Sequence, residues 1–206
     1  MARRTKEEAE QTRKDILQAS LDMFCEKGYT RTTLDDIAKS IHLTKGAIYW
    51  YFRNKPDILK ALMLEDFKNT QEKLDSFMPA PQTLPDLKKY FMFLAKLVDT
   101  DNNFKKLLYF LFLQMEWSTG LITSFRDIIE ELNNKPRQTI ELALQAAQNS
   151  GQIVSTLDVN ALTCSIHAMW YGLVMNKLQS LKNISLQQTT DYSFDFVINA
   201  LTDRKD

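Results

Sequence analysis

The sequence predicts an all-α protein: an N-terminal three-helix helix-turn-helix unit followed by a larger helical bundle, about nine helices in all. Three observations carry this expectation. Glycine and proline are scarce at five each, and Pro79, Pro81 and Pro85 crowd into one short stretch. Strand-like alternation is hard to find, whereas apolar residues recur three and four apart, as on one face of a helix. Hydrophobic residues make up 44% of the 206-residue chain, enough for a real core.

Helix one is expected from Thr5, because Thr5 and Glu8 have the spacing of a capping box. Ile16, Leu17, Ser20, Leu21 and Phe24 form its stripe, and Gly28 tolerates the left-handed cap that ends it. Arg3, Arg4 and Lys6 make either a frayed basic terminus or an arm for DNA phosphates. Thr33 and Asp36 open helix two, which carries Leu34, Ile37, Ala38 and Ile41 at helical spacing. Ser40 to Leu43 is the turn, and Thr44 caps helix three. Asn54 caps helix four, with Pro56 in its first turn, where a missing N–H costs nothing. Helix four runs through Ile58, Leu59, Leu62, Met63 and Phe67 towards Phe77 and is the natural mechanical link. Five further helices follow the proline loop. They are Leu87 to Val98, Phe104 to Trp117, Leu121 to Ser150, Val159 to Leu181 and Leu186 to Leu201. The second is apolar almost all round and should be deeply buried. The third contains Pro136, which can kink or divide it, and stops at Gly151. Asp158 caps the fourth.

Charge and motifs narrow the function. The net charge is zero, but residues 1–60 hold 12 Lys/Arg against 9 Asp/Glu, and the rest holds 14 against 17. A basic head on an acidic body fits that sign of asymmetry. The N-terminus has no apolar core like that of a signal peptide. The longest greasy run, Leu107 to Leu113, is far short of the roughly 20 residues that span a bilayer. A cytoplasmic protein with no membrane partner is expected. Cys25 and Cys164 make no disulfide framework. Phosphate-cradling glycine loops, nucleophile elbows, paired cysteines and His-x-x-x-His spacings are all missing. His167 sits among apolar neighbours and reads as an interior or interface histidine. No catalytic residue, metal ligand or cofactor is predicted.

The informative stretch is Thr33 to Phe52. Ile48 and Phe52 lie one turn apart and take the buried side of the second short helix. Lys45, Gly46, Ala47, Tyr49, Trp50 and Tyr51 are left with little core to fill. A backbone-clamping helix, a tight turn and a groove-sized helix are what a helix-turn-helix needs. Thr33 and Thr44 offer hydroxyls and helix-start N–H groups to phosphates. Lys45 has the reach for a guanine edge or a phosphate. Gly46 permits close approach, and the Ala47 methyl suits a thymine methyl. Tyr49 and Tyr51 can donate to phosphates, Trp50 can flank the backbone, and Lys55 is placed for a phosphate. Double-stranded DNA is therefore the expected partner of residues 1–54, and residues 55–206 are left as a second domain.

These residues resemble the DNA-binding domain of the TetR/AcrR family of one-component bacterial repressors. The resemblance rests on Thr33-Leu34-x-x-Ile37-Ala38, on Thr44 to Phe52, and on Lys55-x-x-Ile58-Leu59. The opening run from Arg3 to Ala9, with Thr12, Arg13, Ile16 and Leu17, is similar to that of the multidrug-efflux subgroup. Three positions depart from the pattern. His42 stands at a turn position usually held by Gly, Tyr51 where the subgroup has His, and Lys45 where many members have Arg. A lysine point charge reads guanine less exactingly than a bidentate arginine.

The resemblance implies a pocket enclosed by helices four to eight and no enzyme activity. Surplus apolar and aromatic residues agree with a small lipophilic effector, cationic or aromatic in character. The candidates are Phe67, Met92, Phe93, Leu97, Leu108, Phe112, Trp117 and Trp170, with Glu116 as counter-charge. Two heads about 34–36 Å apart would read successive major grooves of a palindromic operator, so a homodimer is expected. Its plate would be Leu173, Val174 and Leu178 with Phe194, Phe196, Val197 and Leu201, two helices per subunit. The implied function is a ligand-released repressor of efflux or drug-response genes. Two other readings stay open. One is a DNA binder of this kind with no inducer. The other is a helical lipid carrier with a vestigial head.

Overall fold

A computed structural model of the chain describes residues 5–180 and 185–202. Arg3, Arg4 and Leu181 lie outside the described residues. Among the described residues there are nine α-helices, one π-helical turn and no strand. The helices are α1 (Lys6–Lys27), α2 (Leu34–Ser40), α3 (Lys45–Tyr51), α4 (Lys55–Phe77) and α5 (Leu84–Thr100). Then come α6 (Asn102–Tyr109), α7 (Thr119–Asn149), α8 (Val159–Gln179) and α9 (Leu186–Thr202).

Local chemistry explains the boundaries. The Thr5 hydroxyl accepts from the Glu8 N–H at 3.2 Å, and the Glu8 carboxylate takes the Thr5 N–H at 2.9 Å. Gly28 ends α1 at φ +86°, a conformation that costs glycine little. Thr83 caps α5, with Pro85 in its first turn, so α5 begins three residues earlier than predicted. The predicted apolar helix from Phe104 divides differently. It is α6 continued by the π turn Phe110–Gln114, and Trp117 lies beyond its end. Pro136 does not divide α7, which runs as one helix of 31 residues.

The chain folds into two compact units. The first holds the residues up to 67 together with 106–125. Ile16, Phe24, Ile37, Ile48, Ile58 and Leu59 are wholly enclosed in it. The later segment is part of this core. Phe110 stacks on Phe24 with ring centres 5.6 Å apart, and Lys106 forms an ion pair with Asp22. Gln114 Nε2 donates to the Cys25 carbonyl at 3.1 Å.

The second unit holds 68–105 and 126–206, with α5 packed along α9. Phe91 sits at its centre, against Phe194 at 4.8 Å and Tyr90 and Trp170 at 5.1 Å. Lys88 on α5 reaches both Asp191 and Asp195 on α9. Lys177 of α8 meets Asp99 Oδ1 at 2.7 Å, and Asp99 Oδ2 accepts the Gln187 N–H at 3.2 Å. One nearly enclosed carboxylate thus ties α5 to both later helices.

The chain passes between units at 67/68, 105/106 and 125/126, each time inside a helix. Among the described residues no helix is long and apolar enough to cross a membrane.

Candidate nucleic-acid interface

The reading surface is built from two seven-residue helices held mainly by their ends. Thr33 N–H and Oγ1 both donate to Asp36 Oδ2, at 3.0 and 2.7 Å, and Asp36 N–H returns a bond to Thr33 Oγ1 at 3.1 Å. These bonds from Thr33 hold the Asp36 carboxyl below its ordinary value. The turn closes with the Leu43 N–H on the Ala38 carbonyl at 2.8 Å. His42 adopts φ +57° there. The turn position is left-handed, and a non-glycine residue in it costs roughly 1–2 kcal/mol. Thr44 Oγ1 then accepts the Ala47 N–H at 3.2 Å and starts α3.

Ile48 and Phe52 face inward, at 0% and 5% exposed. Behind them Arg13 of α1 lies 5.5 Å from the Phe52 ring centre and pairs with Glu65 of α4. The outward side carries Thr44, Lys45, Gly46 and Tyr49, with Trp50 74% exposed. Ala47 and Tyr51 are half-buried beside them. The Lys45 ammonium lies 5.9 Å from the Tyr49 ring centre, and the Trp50 and Tyr51 rings meet edge to face at 4.6 Å. A Cβ on Gly46 would meet nothing nearer than Thr44 Oγ1 at 4.0 Å. The fold does not need glycine there.

Lys55, predicted to meet a phosphate, already has partners within the chain. Its ammonium donates to the Tyr29 and Thr30 carbonyls at 2.7 and 3.1 Å and lies 4.7 Å from the Tyr29 ring centre. It ties the start of α4 to the loop after α1, and burial lowers its pKa. Nothing local in the sequence links positions 29 and 55, or 13 and 65, so both braces were missed.

The predicted effector residues are divided between the two units. Phe67, Leu108, Phe112, Glu116 and Trp117 belong to the first unit, and Met92, Phe93, Leu97 and Trp170 to the second. Leu108 is closed into the core at 4% exposed, and Glu116 is exposed. Phe93 and Trp170 pack half-buried on the core around Phe91. The predicted dimer plate is partly corrected. Phe194 is 0% exposed and stacked on Phe91, so it has no surface left for a second copy. Val174, Leu178 and Leu201 are also buried, whereas Leu173 and Val197 are half-buried. Residues two apart on a helix point in nearly opposite directions, so Phe194 and Phe196 could not share a face. Phe196 and Tyr192, one turn apart on α9, are exposed, and so is Tyr171 on α8.

The family model described as bacterial regulatory proteins, tetR family, matches residues 16–62. The one described as MAATS-type transcriptional repressor, C-terminal region, matches residues 82–202. The chain is 28% identical over 204 residues to the probable acrEF/envCD operon repressor of Escherichia coli K12, covering 96% of this chain and 90% of that protein. It is 31% identical over 177 residues to the probable HTH-type transcriptional regulator ArpR of Pseudomonas putida, covering 84% and 83%. A solved SmeT–triclosan complex matches with a TM-score of 0.76 at 24% identity, covering 92% of this chain and 91% of that one. SmeT is the repressor of the Stenotrophomonas maltophilia efflux pump SmeDEF. That last likeness is one of fold.

Proposed function

The chain belongs to the TetR family of bacterial regulatory proteins, as a DNA-binding transcriptional regulator and not an enzyme, and from that premise we propose that it represses efflux or drug-response genes in the cytoplasm. Residues 1–54 bind a palindromic operator, and 55–206 bind the effector and pair two chains. The observation that carries the DNA reading is the outward side of α3. A cation, a bare glycine position and three aromatic residues stand over an inner side of Ile48 and Phe52. The repressor identity of the relatives supports the efflux assignment.

A homodimer joins through the Phe196, Tyr192 and Tyr171 face, with Leu173 and Val197 at its margin. A small lipophilic effector then favours the arrangement that fits DNA poorly. Population shift requires that preference, and about 1.4 kcal/mol of it changes operator affinity tenfold.

The experiment is a footprint and gel shift on the DNA upstream of the gene, repeated across salt concentrations. A protected palindrome whose affinity falls steeply with salt is expected. No protection, or salt-independent binding, would sink the repressor reading. A thermal-shift series with lipophilic cations and phenols tests the effector. No stabilisation by any of them would favour a regulator without an inducer.

A further inference from the structure

Within the first unit, an open-mouthed cleft of about 460 Å³ lies beside the loop that follows α1. It shares no residue with α3. Its walls come from three stretches far apart in sequence: Tyr29 and Thr30, Lys55 of α4, and Glu116, Trp117, Ser118 and Leu121. Two aromatic residues line it, Tyr29 and Trp117. The indole is fixed, because its N–H donates to the Leu111 carbonyl at 3.1 Å. The cation is fixed too. Lys55 spends two of its three N–H donors on the Tyr29 and Thr30 carbonyls, which leaves one. Glu116 supplies an exposed carboxylate to the same lining, and Leu121 an apolar patch.

We propose that this cleft binds a small planar aromatic zwitterion, with its amine on Glu116, its carboxylate on Lys55 and its ring between Tyr29 and Trp117. The lining presents one charge of each sign and two aromatic residues. A ligand of single charge pairs at one end and forgoes the ion pair at the other. The volume suits one or two rings. The Lys55 ammonium is held by neutral carbonyls and weakened by burial, so a carboxylate is a better partner for it. A bound carboxylate competes with those carbonyls and loosens the tie between α4 and the loop that leads into α2. Operator affinity falls as a result. This consequence rests on the repressor reading; the binding itself does not.

The test uses the full chain with Trp50→Phe and Trp170→Phe, so that Trp117 is the remaining fluorophore of the three tryptophans. The probes are 4-(aminomethyl)benzoate, benzylamine and benzoate. A saturable change in emission is expected, with the zwitterion bound at least tenfold more tightly than either singly charged probe. Glu116→Gln, a change at an exposed position, brings the zwitterion down to the affinity of benzoate. Equal responses to all three probes, or an unchanged titration in Glu116→Gln, overturn the site. On the unsubstituted protein, the zwitterion is expected to weaken the gel shift. An unaffected gel shift overturns the coupling. The titration contains no DNA, so a failed footprint would tell against the repressor reading and not against the cleft.

Discussion

Helices α3 and α9 both carry exposed aromatic rings, yet they are held in opposite ways. In α3, seven residues bury only Ile48, and caps and a turn do most of the holding. In α9, seventeen residues bury Leu186, Thr190, Phe194 and Leu201 against a large core. The surroundings of the outer rings differ as well. Tyr49 and Trp50 stand beside Lys45, Gly46 and Thr44, a mixture suited to phosphates and base edges. Phe196, 78% exposed, shares its helix with Tyr192 at 69%, a surface that suits another protein face. What stands beside an exposed ring tells more about its partner than the ring does.

The largest expected effect comes from separating the two sides of α9. Phe194→Ala should cost about 3–5 kcal/mol in chemical denaturation, because it empties a site enclosed by Phe91. Phe196→Ala should change the unfolding of a single chain by no more than about 0.5 kcal/mol. It should instead weaken the dimer, read by sedimentation over a concentration series. Equal effects of the two would erase the contrast. On α3, Lys45→Ala should leave the fold intact and lower operator affinity by about 1–3 kcal/mol, with a shallower salt dependence. Gly46→Ala sharpens the contrast further. Helix propensity should stabilise the protein by no more than about 1 kcal/mol, since the added methyl meets only Thr44 Oγ1, at an ordinary contact distance of 4.0 Å. Operator binding should nevertheless weaken in the gel shift. If binding and stability rise together, close approach is not what Gly46 provides.

The smallest effect is acid sensitivity of the α2 cap. The Asp36 carboxyl is held below its ordinary value of 3.8, first by the Thr33 side chain and then by the Thr33 N–H. Its contribution is fully present above that ordinary value and is lost as pH falls through the lowered folded value. Thr33→Val should flatten this part of a stability–pH curve, below the ordinary value of 3.8. An unchanged curve would show that the cap does not contribute.

The head was legible because its determinants are local. Caps at Thr5, Thr33 and Thr44 each lie within three residues of their partners, and the turn sits at His42, between the helices it joins. The body was legible only as helices. Lys88 finds Asp191 and Asp195 across roughly half the chain, and no spacing rule joins those positions. The same difficulty put Phe194 on the wrong side of α9, since an apolar stripe does not say which neighbour covers it. The intrachain partners of Lys55 were missed for a related reason. A lysine near a reading helix invites a phosphate, and only the folded loop shows carbonyls closer at hand.

Every crossing between the two compact units occurs in mid-helix, and Phe110, on a returning segment, is what covers Phe24. The reading head is therefore not a detachable cassette. A chimera that grafted only the first 67 residues onto a foreign body would carry Phe24 across without its stacking partner. Transplanting the specificity of this protein calls for a spliced exchange, with 106–125 moving along with the head, or for rewriting α3 where it stands.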